Sequence, residues 1–251
     1  MPTNFQSVPG TRTGPSITPR NIFVSTQANQ INYAPSFLFL DGTLGRDAGQ
    51  LASSNPTSLI RPGNILGKIT ATGKYRPSVL GLTAGTCSGT TLTVTAAVAS
   101  EVSRLLAATA ANVTLTLAGP TSTGATQTVN TETAVVSTVT GTTLTMAGTL
   151  THSYVTRSIV MPADGSQTGL VVFADNVFGT DVTDINGNSI DQTLNMWLRG
   201  ADLLASMIPN LVTDDYSNTT EPACQVYLKS FLKAGGSNNT SGVVYTFDND
   251  R

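Results

Sequence analysis

Ile65-Leu66-Gly67-Lys68-Ile69-Thr70-Ala71-Thr72-Gly73-Lys74-Tyr75 reads as one strand running into a tight turn. Pro62-Gly63 and Thr72-Gly73 bracket it with turn formers. Between them, Ile65, Gly67, Ile69 and Ala71 fall on one side and Leu66, Lys68 and Thr70 on the other, the period-two alternation of a strand. Gly73 is expected to supply a positive φ at the turn, and Tyr75 to pack. The stretch is therefore one strand of a small barrel or sandwich. Upstream, Ser36-Phe37-Leu38-Phe39-Leu40 is a short apolar run closed by the turn pair Asp41-Gly42, a buried strand or docking element, and residues 49–56 form a polar loop.

Downstream the composition shifts. From Leu82 to Met161 Thr, Ala, Gly and Val dominate, and the segment contains an echo: Ser88-Gly89-Thr90-Thr91-Leu92-Thr93-Val94-Thr95 returns as Thr140-Gly141-Thr142-Thr143-Leu144-Thr145-Met146-Ala147. Each copy is a turn followed by alternating residues, with Leu92 and Val94, or Leu144 and Met146, on one face. Two copies are too few for a solenoid, so they mark similar hairpins. Between them Val98, Val102, Leu105 and Leu106 have helical spacing, which predicts one short amphipathic helix on a small sheet. Past this segment, Asp164-Gly165-Ser166-Gln167 is a turn leading into the apolar strand Leu170–Phe173. Alternation then puts Leu194, Met196 and Leu198 on one face of a strand, Cys224–Leu232 is ambiguous, and Val243–Phe247 is a last strand.

Residues 1 to about 35 hold Pro2, Pro9, Pro15, Pro19 and Pro35 among polar residues and read as an extended arm or a disordered tail. Its run Asn21–Thr26 suits addition to the edge of another sheet. Charged residues are 11% of the 251 and the formal net charge is -2, which gives no electrostatic footprint for nucleic acid. The first residues lack a basic and apolar leader pattern, and no segment has the ~20 apolar residues that span a bilayer, so a soluble cytoplasmic product is expected. Cys87 and Cys224 stand apart without Cys/His spacing and read as free thiols, with no metal and no cofactor implied. His152 is the single histidine and lies in a Thr-rich setting, where an exposed loop or strand-end position is expected. Asp181, Asp184, Asn186 and Asn188 lack the terminal Glu of a calcium loop and read as turn formers. Trp197, between Met196 and Leu198, reads as core or interface. No nucleophile, base and orienter come together in the pattern, so no catalytic residue is assigned and the chain reads as a non-enzyme.

Gly67, Lys68, Ile69, Thr70, Thr72, Gly73, Lys74 and Tyr75, followed by Asp164, Gly165, Ser166 and Gln167, resemble the lambda-type phage head decoration protein family. In that family the run G-K-I-T-A-T-G-K-Y and the turn D-G-S-Q sit close together; here more than eighty residues separate them. The pair Arg199-Gly200 matches the start of the family's R-G-E-V strand, but Ala201-Asp202 follows it, which shifts the acidic residue. The resemblance implies a mainly β protein: a decoration core (41–81 and 162–251), split by an inserted α+β, mostly β surface domain (82–161), with an extended arm (1–40). It also implies a homotrimer on the outer surface of the virion's capsid, bound to the major capsid protein, with no membrane or direct nucleic-acid partner. Ile22, Phe23, Val24, Phe37 and Phe39 are the candidate capsid contacts. The other reading open at this stage is a capsid-displayed binding module whose inserted domain attaches to host-surface glycans.

Overall fold

The computed structural model describes residues 38–48, 59–61, 63–120, 129–173, 178–179, 190–194, 197–198, 201–204 and 245–248. The chain is mostly β. In order it forms β1 (Leu38–Leu40), β2 (Leu59–Ile60), β3 (Ile65–Lys68), β4 (Tyr75–Pro77), β5 (Gly81–Leu82), β6 (Thr91–Thr93), helix α1 (Ala96–Thr109), β7 (Val113–Pro120) and β8 (Val129–Thr140). There follow β9 (Thr143–Met146), β10 (Ile159–Pro162), β11 (Gly169–Phe173), β12 (Phe178–Gly179), β13 (Gln192–Leu194), β14 (Trp197–Leu198), β15 (Ala201–Leu204) and β16 (Tyr245–Asp248).

The first sheet has the order β13-β1-β4-β3-β11-β14. Its outer members β13 and β14 are neighbours in the chain, separated only by residues 195–196. Six strands side by side would extend over roughly 24 Å, at about 4.8 Å each. The short connection reaches less than half of that at about 3.6 Å per residue. The sheet therefore curls until the 192–198 run serves both edges, pairing antiparallel with β1 at one end and with β11 at the other. Closure of this kind removes exposed strand edges. Leu40, Ile60, Leu66, Val171 and Phe173 fill the interior, each at most 1% exposed, with Tyr75 packed against them.

Three expectations need correction here. The strand after Pro62-Gly63 does not run through Ala71: it stops at Lys68, because the chain turns within Ile69–Lys74 to return as β4. Leu38–Leu40, expected to close the arm, belong instead to the first sheet: they pair with β13 and β4, and Leu40 is buried in the core. The alternation around Leu194–Leu203 is divided among β13, β14 and β15, the last pairing in parallel with β16.

The second sheet, β5-β10-β7-β8-β9-β6, also closes. Thr83 bridges Val94, and the Ala84 and Thr95 N–H groups donate to the Thr93 and Leu82 carbonyls, joining the β5 edge to the β6 edge. The echoed segments explain the closure. Both turns carry a left-handed glycine, Gly89 (φ 66°) and Gly141 (φ 59°). The copies form more than similar hairpins, because they pair with each other: Thr91, Leu92 and Thr93 face Thr145, Leu144 and Thr143. One face of that pair sends Leu92, Val94, Leu144 and Met146 into the barrel, all at most 4% exposed. The other face carries threonines. Helix α1, found at the expected spacing, adds Val98, Val102 and Leu105 as buried residues.

On β7 and β10, Leu115, Leu117 and Val160 point into the barrel. The alternate residues Thr116, Ala118, Ile159 and Met161 point outward yet are at most 7% exposed. This side of the second barrel is thus covered by the rest of the molecule, while Thr91, Thr138 and Thr140 are exposed on the other. Gly67 sits where β3 meets the loop before β11, and a Cβ there would lie 1.9 Å from the Ser166 carbonyl oxygen. Backbone cannot yield as a flexible side chain does. Gly67→Ala is therefore expected to lower stability by about 1–3 kcal/mol, read by denaturant unfolding; an unchanged midpoint would contradict this packing.

Candidate functional site

Two segments far apart in the chain build the most specific constellation. The first is the β3–β4 hairpin, where Lys68 pairs with Tyr75 and Gly67 with Arg76. Its turn closes through Ile69 N–H to Lys74 O (2.8 Å) and Gly73 N–H to Ile69 O (2.9 Å), with Gly73 at the expected positive φ of 73°. Lys68, Thr70, Ala71 and Thr72 are exposed along it. The second is the turn Asp164–Gln167. Asp164 Oδ1 accepts hydrogen bonds from the Ser166 N–H (3.0 Å) and hydroxyl, and the Gly165 N–H donates to Gln167 Oε1 (2.7 Å).

These segments lock together. The Thr70 N–H donates to Asp164 O at 2.9 Å, and Arg76 Nη1 donates to Asp164 Oδ2 at 3.1 Å across 88 residues of sequence. Gly165 has φ +99°, and a Cβ on it would sit 2.0 Å from Thr70 Oγ1, so a side chain is excluded on both counts. The motif residues separated in sequence are adjacent in the fold.

Lys74 fastens the same hairpin to β1 and the start of β13. Its Nζ lies 2.7 Å from Asp191 Oδ2 and 3.9 Å from Asp41 Oδ2. Asp191 Oδ1 accepts the Gly42 N–H (3.0 Å), while Asp41 Oδ1 accepts the N–H groups of Thr43 and Leu44, the turn expected at Asp41-Gly42. The hydrogen bond to Asp191 raises the Lys74 pKa against a smaller opposing effect of burial, and the two carboxylate charges add to the rise. Burial works against ionised Asp191, but the Lys74 hydrogen bond, the Gly42 amide and the Lys74 charge together hold its carboxyl below the ordinary range.

Two features carried no sequence signal. Asp47, 1% exposed, receives Arg61 through Nε (2.7 Å) and Nη2 (2.8 Å) and Asn64 Nδ2 (2.8 Å), which docks the segment after β1 onto the approach to β3. Arg76 is 4% exposed at its side chain and lines a cleft of about 280 Å³ between the barrels, with Leu44, Leu105, Val113, Pro162 and Asp164.

The remaining sequence candidates are placed as follows. Ile22, Phe23, Val24 and Phe37 lie outside the described residues, as do Asp181, Asp184 and Cys224. Phe39 is on β1 and 56% exposed, a large aromatic open to solvent. Cys87 is a buried free thiol whose Sγ lies 3.2 Å from Gly85 O; burial pushes its pKa up, against a smaller lowering by the Thr93 amide. His152 is half-buried in a loop, edge-on to the Tyr154 ring at 6.5 Å. Burial first, and the charge of Glu132 second, push the Tyr154 phenol up; its hydroxyl is buried without a hydrogen-bond partner of ordinary geometry. Among the described residues no three His, Cys, Asp or Glu side chains group to hold a metal ion, and no helix is long and apolar enough to cross a membrane. Compared with known proteins, the chain matches no family model, no curated protein and no solved structure.

Because the folded-state pKa of Asp191 is depressed, its contribution is present above the ordinary value of 3.8 and is lost as pH falls through the folded value. Asp191→Asn is expected to flatten the stability change below that pH and to leave the dependence elsewhere intact, as measured by urea unfolding across the acid range. An acid limb identical to the parent's would show that the Lys74–Asp191 contact contributes nothing there.

Proposed function

We propose that the chain is a structural virion protein of the capsid-decoration type, which binds the outer surface of a phage head as a homotrimer and cements neighbouring capsid subunits. The observation that carries this reading is the contact of Gly67–Tyr75 and Arg76 with Asp164–Gln167. The two segments that resemble the family's motifs, which lie close together in the family's sequences, adjoin in space here although 88 residues apart in the chain, with the second barrel between them. On this reading the first barrel is the decoration core and residues 82–161 are an inserted domain.

The physics of the arm fits the role. Ordering a residue costs about 1–2 kcal/mol, so a Pro-rich, polar segment is held only where strand addition and apolar pockets offset that cost. The two six-stranded sheets curl on themselves, and on this reading the arm, with Ile22, Phe23, Val24 and Phe37, and the exposed Phe39 are the capsid contacts. Three arms on one trimer act together, and multivalency of that kind raises avidity by roughly 10² to 10⁴.

Deleting residues 1–35 tests the proposal. The truncated chain is expected to remain a folded trimer by light scattering and to lose sedimentation with undecorated heads; undiminished co-sedimentation would remove the arm from the mechanism, and a monomeric parent chain would remove the trimer.

A further inference from the structure

Three parts of the chain converge on one guanidinium. Arg76 lies in β4, the second strand of the hairpin of the first barrel, just before the outgoing connection at residues 78–80. Its Nη1 donates to Asp164 Oδ2 (3.1 Å) on the returning connection, and its Nη2 lies 3.9 Å from Glu101 Oε1 on α1 of the second barrel. Glu101 is fully buried and also receives Arg104, through Nε at 2.8 Å and Nη2 at 2.6 Å. Arg76 Nε and Nη2 make no hydrogen bond, so the contact of its guanidinium with Glu101 is ionic and not hydrogen-bonded. A cleft of about 280 Å³ lies beside this contact, lined by Arg76, Leu105, Val113, Pro162 and Asp164.

We infer that Arg76 locks the joint between the two barrels, fixing the direction in which the second barrel projects. A carboxylate buried as deeply as Glu101 is costly without its opposite charges. Arg104, on the same helix, travels with it. If Arg76 is removed, Glu101 and Arg104 can reach water as α1, held in the second barrel's core by Val98 and Val102, moves away from the joint together with that barrel. The inference does not depend on capsid binding, and its test uses the free full-length chain.

The test is hydrogen exchange followed by mass spectrometry on the parent, Arg76→Met, and Arg76→Met combined with Glu101→Gln. The single change is expected to speed exchange in residues 78–80 and 162–166 by about tenfold or more, with the β7–β8 ladder unchanged as internal reference. The double variant, in which no buried carboxylate is left behind, is expected to recover part of that protection. Parent-like exchange at the joint in Arg76→Met overturns the inference, and so does acceleration shared equally by the β7–β8 ladder. If Arg76→Met alone does not fold, a folded double variant supports the lock and an unfolded one overturns it.

Discussion

The close approach of the Asp164–Gly165–Ser166 turn to the β3–β4 hairpin is the constraint on which the rest of the structure depends. Gly67 and Gly165 are glycines because backbone or a short side chain occupies the space a Cβ would need. That leaves the Asp164 carbonyl within reach of the Thr70 amide and the Asp164 carboxylate within reach of Arg76. From there β11 follows directly and pairs with β3, with a register shift between Gly169 and Val171 that lets the chain pass from turn to ladder. The first barrel can close only because this contact returns the chain to its starting sheet.

The second barrel solves a different problem. A segment of modest size with few charges needs a core and no open edges. Its echoed turn-and-strand units supply both: paired antiparallel, they place Leu92 opposite Leu144 on the inner face and threonine opposite threonine on the outer one. β-branched threonine suits a half-exposed strand surface, so the same short pattern satisfies the interior and the solvent side. Arg76, Glu101 and Asp164 then relate this barrel to the first.

Much of this was legible in the sequence where local chemistry decides the outcome. The left-handed glycine at Gly73, the Asp41-Gly42 turn, the spacing of Val98, Val102 and Leu105, and the inward Leu92 and Leu144 all follow from residue type and period. What stayed hidden depends on distant pairing. No period announces that Gln192–Leu198 serves two edges of one sheet, that the echoed copies are partners, or that Asp47 is buried under Arg61 and Asn64. Arg76 follows the recognisable motif by a single residue and carries no pattern of its own; its importance appears only when α1 and the Asp164 turn are placed beside it. The strand that stops at Lys68 misled for a local reason, because Ile69 is buried inside a turn as though the alternation continued.

The central claim, that one core is assembled from both sides of the second barrel, has a direct test. Gly81 pairs with Val160, and the Leu80 N–H donates to the Val160 carbonyl at 2.9 Å, so the two junctions lie side by side. Replacing residues 81–161 with a Gly/Asn turn of about four residues should leave a chain with β-type circular dichroism and one cooperative thermal transition. A chain without that transition would mean that the first barrel is not a core in its own right and would contradict the account.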